Sequence, residues 1–304
     1  MKKLNILLLK IFLLSLLFFA FSLVFSTEGR SKQKADESAL LNPGHKNEVG
    51  FIEISKASEN EAISLKKQGD FWLLIKKTGG GQNQTCTYAE AKIVNSLLEN
   101  AAKIRKIYKI SGNQKDFERL KLSQNNSVSI NFQKNDGEAF SRLYFGEENS
   151  LKNRIYFRSG LSENAFETEN NFSQYLNCDI NYWAAGEIFP EIKNPVNASK
   201  EILSLRHGKI LENGEDIVAE GRAVWTLIVQ DGNGRSVKLD FFEKTGLLES
   251  GEAEKSYFYK KTISPSEIDS GENIFAFYSE NAVYEISEWT YERLKNAAEN
   301  FQPY

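Results

Sequence analysis

SVSINFQKNDG at residues 127–137 returns as SVKLDFFEKTG at 236–246, and this pair sets the reading of the whole chain. Val128, Ile130 and Phe132 alternate with polar residues, the period of a strand with one buried face. Asn135-Asp136-Gly137 then supplies turn chemistry. Ser, Val, Phe and Gly recur in register in the second copy. A further match follows in the same order: NRIYFRSGLSENAFETENNFSQYL (153–176) and NIFAFYSENAVYEISEWTYERL (273–294). Each reads as a strand, a turn containing Glu-Asn-Ala, a second strand and a helix. Two matches in one order point to a degenerate duplication, and two copies are too few for a solenoid. The fold class expected is α+β: an N-terminal transmembrane helix, then two related, mostly antiparallel β-sheet modules with a few helices.

Working outward, Phe51–Ile54 and Phe71–Lys76 read as strands, and Thr78–Gln84, with its three consecutive glycines, as a loop. Thr87 and Glu90 have the spacing of a capping box. Ala91, Val94, Leu98 and Ala101 then recur on one helical face, so Tyr88–Lys103 reads as a helix. Leu143–Phe145 and Arg154–Arg158 continue the first meander, and Phe172–Leu176 reads as a short helix. Asn194–Ser199 (NPVNAS) is the internal boundary, dividing modules at 49–193 and 200–304. Beyond it Ile202–Arg206, Val224–Gln230 and Ser236–Phe242 read as strands. Asp231-Gly232-Asn233-Gly234 joins the last two as a hairpin. Asn273–Tyr278 and Ala282–Ile286 form another pair. A terminal helix from near Ser287 carries Tyr291, Leu294, Ala298 and Phe301 on one face.

Residues 1–26 read as a signal anchor. Lys2 and Lys3 precede an apolar run from Leu4 to Phe25, broken by Lys10. The run is long enough to cross a bilayer core of ~30 Å, and Lys10 could snorkel to the inner interface. A cleaved signal peptide, with Val24 and Ser26 before Thr27, is the competing reading. Residues 27–48 are polar and read as a flexible tether. The expected location is the cell membrane, single-pass through residues 4–25, with the C-terminal part on the periplasmic side. Removing Lys2, Lys3 and Lys10 from 38 basic residues leaves 35 against 41 acidic ones, an acidic ectodomain. That balance argues against a nucleic-acid partner.

Chemistry-bearing motifs are sparse. The 304 residues include two Cys and two His, too few for a disulfide scaffold or a Cys/His metal cluster. His45 and His207 have no ligand neighbours at metal spacing and read as surface residues. Gly79–Gly81 is not framed as a phosphate loop. The Asp231 loop has Ser236 and Phe242 where a calcium loop needs Gly and Glu. Lys103, Arg105, Lys106 and Lys109 read as cations at a helix end. Cys86 and Cys178 could pair or stay free thiols. Trp72, Trp225 and Trp289 read as core residues. No catalytic, cofactor-binding or metal residue is assigned.

FWLLIKK (71–77), TYAEAKIVNSLLENAAKI (87–104), the amphipathic strand at 127–137, RIYFR, and the segment from Trp183 to IFPEI (183–192) occur in an order that resembles the bacterial family of domain of unknown function 4340. The resemblance runs from about residue 49 and is looser in the second half. It implies a membrane-anchored protein encoded beside ABC-type transporters of the gliding-motility or auxiliary kind, with no established catalytic residues. The expected function is a non-enzymatic extracytoplasmic accessory or scaffold protein of an envelope complex, with ABC transporter subunits as partners. The alternative is a binding module for a peptide, glycan or lipid, with Tyr156, Phe157, Trp183 or Trp225 near the mouth of its groove. A hydrolase would need two carboxylates converging in a cleft.

Overall fold

The computed structural model describes residues 35–78, 83–160, 162–212, 221–247, 253–264 and 282–300, with residues 15, 214, 217 and 218. The expected anchor at 4–25, apart from residue 15, the glycine triplet and the strand at Asn273–Tyr278 lie outside the described residues. Among those residues no helix is long and apolar enough to cross a membrane.

Two sheets, mostly antiparallel, dominate, with a few helices. The first has ten strands: β1 (Asp36–Ser38), β2 (Phe51–Lys56), β3 (Glu61–Gln68), β4 (Phe71–Thr78), β5 (Asn83–Tyr88), β6 (Arg105–Ser111), β7 (Val128–Gln133), β8 (Ala139–Glu148), β9 (Arg154–Ser159) and β10 (Ala165–Glu169). Their spatial order is β1-β6-β10-β9-β8-β7-β2-β3-β4-β5. The second comprises β11 (Lys209–Leu211), β12 (Trp225–Gln230), β13 (Ser236–Leu247), β14 (Ala253–Ser264) and β15 (Val283–Ile286). Its order is β11-β15-β14-β13-β12. The helices are α1 (Ala91–Ala102), α2 (Asp116–Arg119), α3 (Ile180–Trp183), α4 (Lys200–Leu203) and α5 (Glu288–Asn300).

One path occurs twice. In β6-β10-β9-β8-β7 and in β11-β15-β14-β13-β12, a lone strand is followed by a four-strand meander whose last member returns to pair with it. On this common path the counterpart of β10 is β15, as the second sequence match has it, but the counterpart of β9 is β14, whereas that match sets β9 against 273–278. The counterpart of β7 is β12, whereas the match of 127–137 with 236–246 sets β7 against β13. That likeness does not follow the common path, and its matching glycines differ in setting, Gly137 in a turn and Gly246 inside β13. Asp136 accepts the Glu138 amide beyond β7, and Asp231 accepts the Asn233 and Arg235 amides before β13. Gly137 and Gly234 take the positive φ these turns require, at 93° and 80°.

Several elements differ from the sequence reading. Thr87 caps no helix: it lies in β5 opposite Leu74 of β4. The helix begins at Ala91, with Glu90 as an N-cap that makes no side-chain capping bond. Ile202–Arg206 is not a strand. Ser199 accepts the Ile202 amide and starts the single turn of α4. Arg105, Lys106 and Lys109 do not end the helix but belong to β6. Residues 36–48, expected as tether, are part of the body. β1 pairs with β6, and the Leu40 and Leu41 amides both donate to the Ala101 carbonyl. Both leucines are buried. β7 is buried on both faces, with Ser129 and Asn131 inside as well as Ile130 and Phe132. Ser129 exchanges a 2.8 Å hydrogen bond with Ser55 of β2.

A single buried cluster runs from Leu40 through Ile52, Leu97, Phe145 and Trp183 to Tyr259 and Leu294, spanning both sheets. α1 buries Val94, Leu97, Leu98 and Ala101 beside β4. α5 buries Tyr291, Leu294 and Ala297 over β12 and β14. Trp225 stacks on Phe241 at 3.7 Å and donates its indole NH to the Tyr291 hydroxyl.

Candidate functional site

Two polar constellations stand out against this core. The first joins the sheets. Along β14, Tyr257, Tyr259, Lys261 and Ile263 share the inward phase, so a lysine occupies a core position. Lys261 Nζ donates to Glu191 Oε1 at 2.9 Å. Their side chains are 5% and 0% exposed. Such a pair survives burial because the two charges compensate each other. The rings of Tyr88 and Tyr284 lie 5.5 and 5.8 Å from the Lys261 ammonium. Tyr284 stacks on Tyr259 and exchanges a 2.8 Å hydrogen bond with Thr87. Arg235 donates to the Glu191 carbonyl at 3.0 Å. The node therefore links β5, the loop after α3, β14 and β15.

His207 closes one side of it. Its Nε2 lies 2.7 Å from the Ala185 carbonyl, which fixes that nitrogen as the donor. The ring meets Tyr284 edge-on at 4.9 Å. Burial pushes its pKa down to about 4, so it stays neutral near neutrality. His207 is thus not the surface residue expected. Lysine, glutamate, histidine and tyrosine together are the materials of acid-base chemistry, but here the lysine, glutamate and tyrosines are buried in the core and the histidine is half-buried beside them. Burial also raises the Tyr259 and Tyr284 hydroxyls well above their ordinary range. The arrangement acts as a clamp between the sheets.

The second constellation is a surface cleft of about 370 Å³. Its walls are Lys103, Ile104, Arg105, Lys106 and Tyr108 from the α1–β6 junction, Asn153 and Arg154 at the start of β9, and Glu169 at the end of β10. Arg154 pairs with Glu167, and its guanidinium lies 4.4 Å over the Tyr108 ring. The basic run in the sequence is the signal that marks this place. The core lysine is marked by its phase in the β14 alternation.

The residues offered for a ligand groove do not converge. Trp183 is fully buried and donates to the Asn177 carbonyl. Phe157 is buried between Phe145 and Phe166. Tyr156 packs on a small cluster with Leu120, Leu122 and Ala165. Trp225 belongs to the α5 contact. Trp72 is buried as expected, but Trp289 is 60% exposed, beneath the Arg293 guanidinium. Cys86 and Cys178 are buried free thiols, pushed by burial up to about 12 and about 11. Among the described residues no three His, Cys, Asp or Glu side chains gather in an arrangement suited to a metal ion.

A family model described as domain of unknown function (DUF4340) matches residues 82–227. The matched stretch opens at β5, contains α1 and the cleft, crosses the boundary at 194–199 and ends in β12. No curated protein and no solved structure matches the chain.

Proposed function

Starting from a chain whose residues 82–227 belong to the DUF4340 family, we propose a non-enzymatic accessory or scaffold protein of a cell-envelope complex. Residues 4–25 hold it in the cytoplasmic membrane, single-pass, with the folded body on the periplasmic side. Its partners are the permease and ATPase subunits of an ABC-type transporter. Two duplicated modules, descended from one five-strand unit, make up the body. Cleavage before Thr27 would instead release the body from the membrane.

The observation that carries this reading is the position of β1. The apolar run ends at Phe25, and β1 begins at Asp36, paired to the edge of the ten-stranded sheet. The intervening chain spans at most about 40 Å when fully extended. The body is therefore held near the bilayer by a short leash attached to a sheet edge. The clamp between the sheets adds support, because a scaffold needs a body that transmits position without internal slack. The burial of Lys261 and Glu191 weighs against a substrate reaching them.

The test is an in-cell crosslink of the full-length protein, followed by detergent extraction and mass spectrometry of what remains attached. Co-recovery of ABC-type permease and ATPase subunits is the expected result. Recovery of the chain alone, across crosslinkers of different reach, would sink the proposal.

A further inference from the structure

The cleft at the α1–β6 junction holds more positive charge than the fold uses. Lys103, Arg105, Lys106 and Arg154 line it with one carboxylate, Glu169, and of the four cations only Arg154 has an ion-pair partner among the described residues, Glu167. Among the described residues neither Lys103 nor Lys106 makes an ion pair, and both are exposed. Arg105 is 7% exposed. Its Nε donates to the Lys103 carbonyl and its Nη2 to the Asn100 carbonyl, while Nη1 has no hydrogen-bond partner. Phe172 lies 4.9 Å from the guanidinium. No carboxylate of the described residues comes within ion-pair distance of Arg105. Glu169 acts on Arg105 only from beyond ion-pair distance, and such a weakly compensated buried guanidinium is costly, a cost that a bound anion would offset. Asn153 and Tyr108 add hydrogen-bonding groups to the wall, and Ile104 stands exposed at the rim.

We propose that this cleft binds a phosphate-type oxyanion, held by Lys103, Lys106 and Arg154 above the buried charge of Arg105. Guanidinium and ammonium groups around one small cleft match an oxyanion with several acceptor atoms. Glu169 opposes the ligand and sets a modest affinity. Two sources supply this chemistry: free phosphate compounds, and the head groups of anionic phospholipids. The second is pertinent because β1 pairs with β6 through Ser38 and Arg105 at the cleft itself. The inference stands on the cleft alone, so its failure would leave the accessory role untouched, and the reverse also holds.

The full-length protein in phosphatidylcholine nanodiscs is treated with an amine-acetylating reagent, and the modification rates of Lys103 and Lys106 are read by mass spectrometry. Lys109, exposed on the same strand, is the internal reference. One arm adds inorganic phosphate against chloride at matched ionic strength. The other replaces part of the phosphatidylcholine with phosphatidylglycerol, without phosphate. Occupancy is expected to slow Lys103 and Lys106 about tenfold at a ligand concentration ten times Kd, with Lys109 unchanged. Glu169→Gln should lower the phosphate concentration needed, and Lys106→Glu should abolish the protection of Lys103. Protection in the phosphate arm alone supports a free oxyanion, and in the phosphatidylglycerol arm a lipid head group. Unchanged rates in both arms, or a slowing shared by Lys109, overturn the proposal.

Discussion

His207 shows how one side chain reports on its surroundings. Its ring is held by the Ala185 carbonyl and the edge of Tyr284, and burial lowers its pKa from 6.5 to about 4. Between those values the unfolded chain takes up a proton that the folded chain refuses. Stability therefore falls as pH drops from 6.5 towards 4, with a slope of up to ~1.4 kcal/mol per pH unit from this group. Above pH 6.5 the group adds no pH dependence. The check is denaturant unfolding of the wild type and His207→Gln at pH 7 and pH 4.5. The wild type should lose on the order of 2 kcal/mol more than the variant over that interval. Equal losses would place the imidazole in water. The sequence offered no warning of this, because His207 precedes a glycine in a polar stretch and its burial comes from β15.

Strands and turns are set at the next scale, and Gly146 shows how tightly. It lies in β8 near an irregularity of the pairing with β9. A Cβ there would sit 2.0 Å from the Leu120 carbonyl oxygen, which also accepts the Glu147 amide. Gly146→Ala should cost about 2 kcal/mol or more, since the backbone of 120–122 would have to move. Gly246→Ala in β13 meets nothing within 4 Å and should change stability by less than about 0.5 kcal/mol. Thermal melts of the two variants decide the matter, and equal effects would refute the packing described for β8. At this scale the sequence was legible wherever one face alternated or a turn residue recurred. β4, β7, β12, β13 and β15 lie close to their expected positions. β3, β5, β6 and β14 were not foreseen, because EAISLKKQ, NQTCTY, RKIYKIS and AEKSYFYKKTIS carry too little alternation or too much charge or polarity.

The whole molecule is organised by a core and a clamp that ignore the sequence boundary at 194–199. One buried cluster spans both sheets, Thr87 meets Tyr284 across them, and Lys261 meets Glu191 across the sequence boundary. Unfolding should therefore follow one cooperative transition, with coincident curves from probes in either sheet. Lys261→Met leaves a buried carboxylate unpaired and should cost about 3–5 kcal/mol, while Lys261→Met with Glu191→Leu should recover much of that loss. Calorimetry of the three proteins tests both points. Two separate transitions in the wild type would show the sheets to be independent, and no recovery in the double variant would show that the pair does more than neutralise itself.

What the sequence by itself determined are the features that depend on near neighbours: the alternating strands, the Asn135-Asp136-Gly137 and Asp231–Gly234 turns, and the amphipathic faces of α1 and α5. It also carried the family pattern and the apolar run at 4–25. Tertiary structure decided the rest, through partners far away in the chain. Thr87 is a strand residue whose hydroxyl meets Tyr284, 197 positions on, so its capping-box spacing is never used. Leu40 and Leu41 turn a polar tether into part of the body because the end of α1 presents the Ala101 carbonyl and an apolar seat. The basic run becomes one wall of a cleft because β9 and β10 supply the others. Local patterns encode the preference of a segment, and burial against distant segments selects which preference survives.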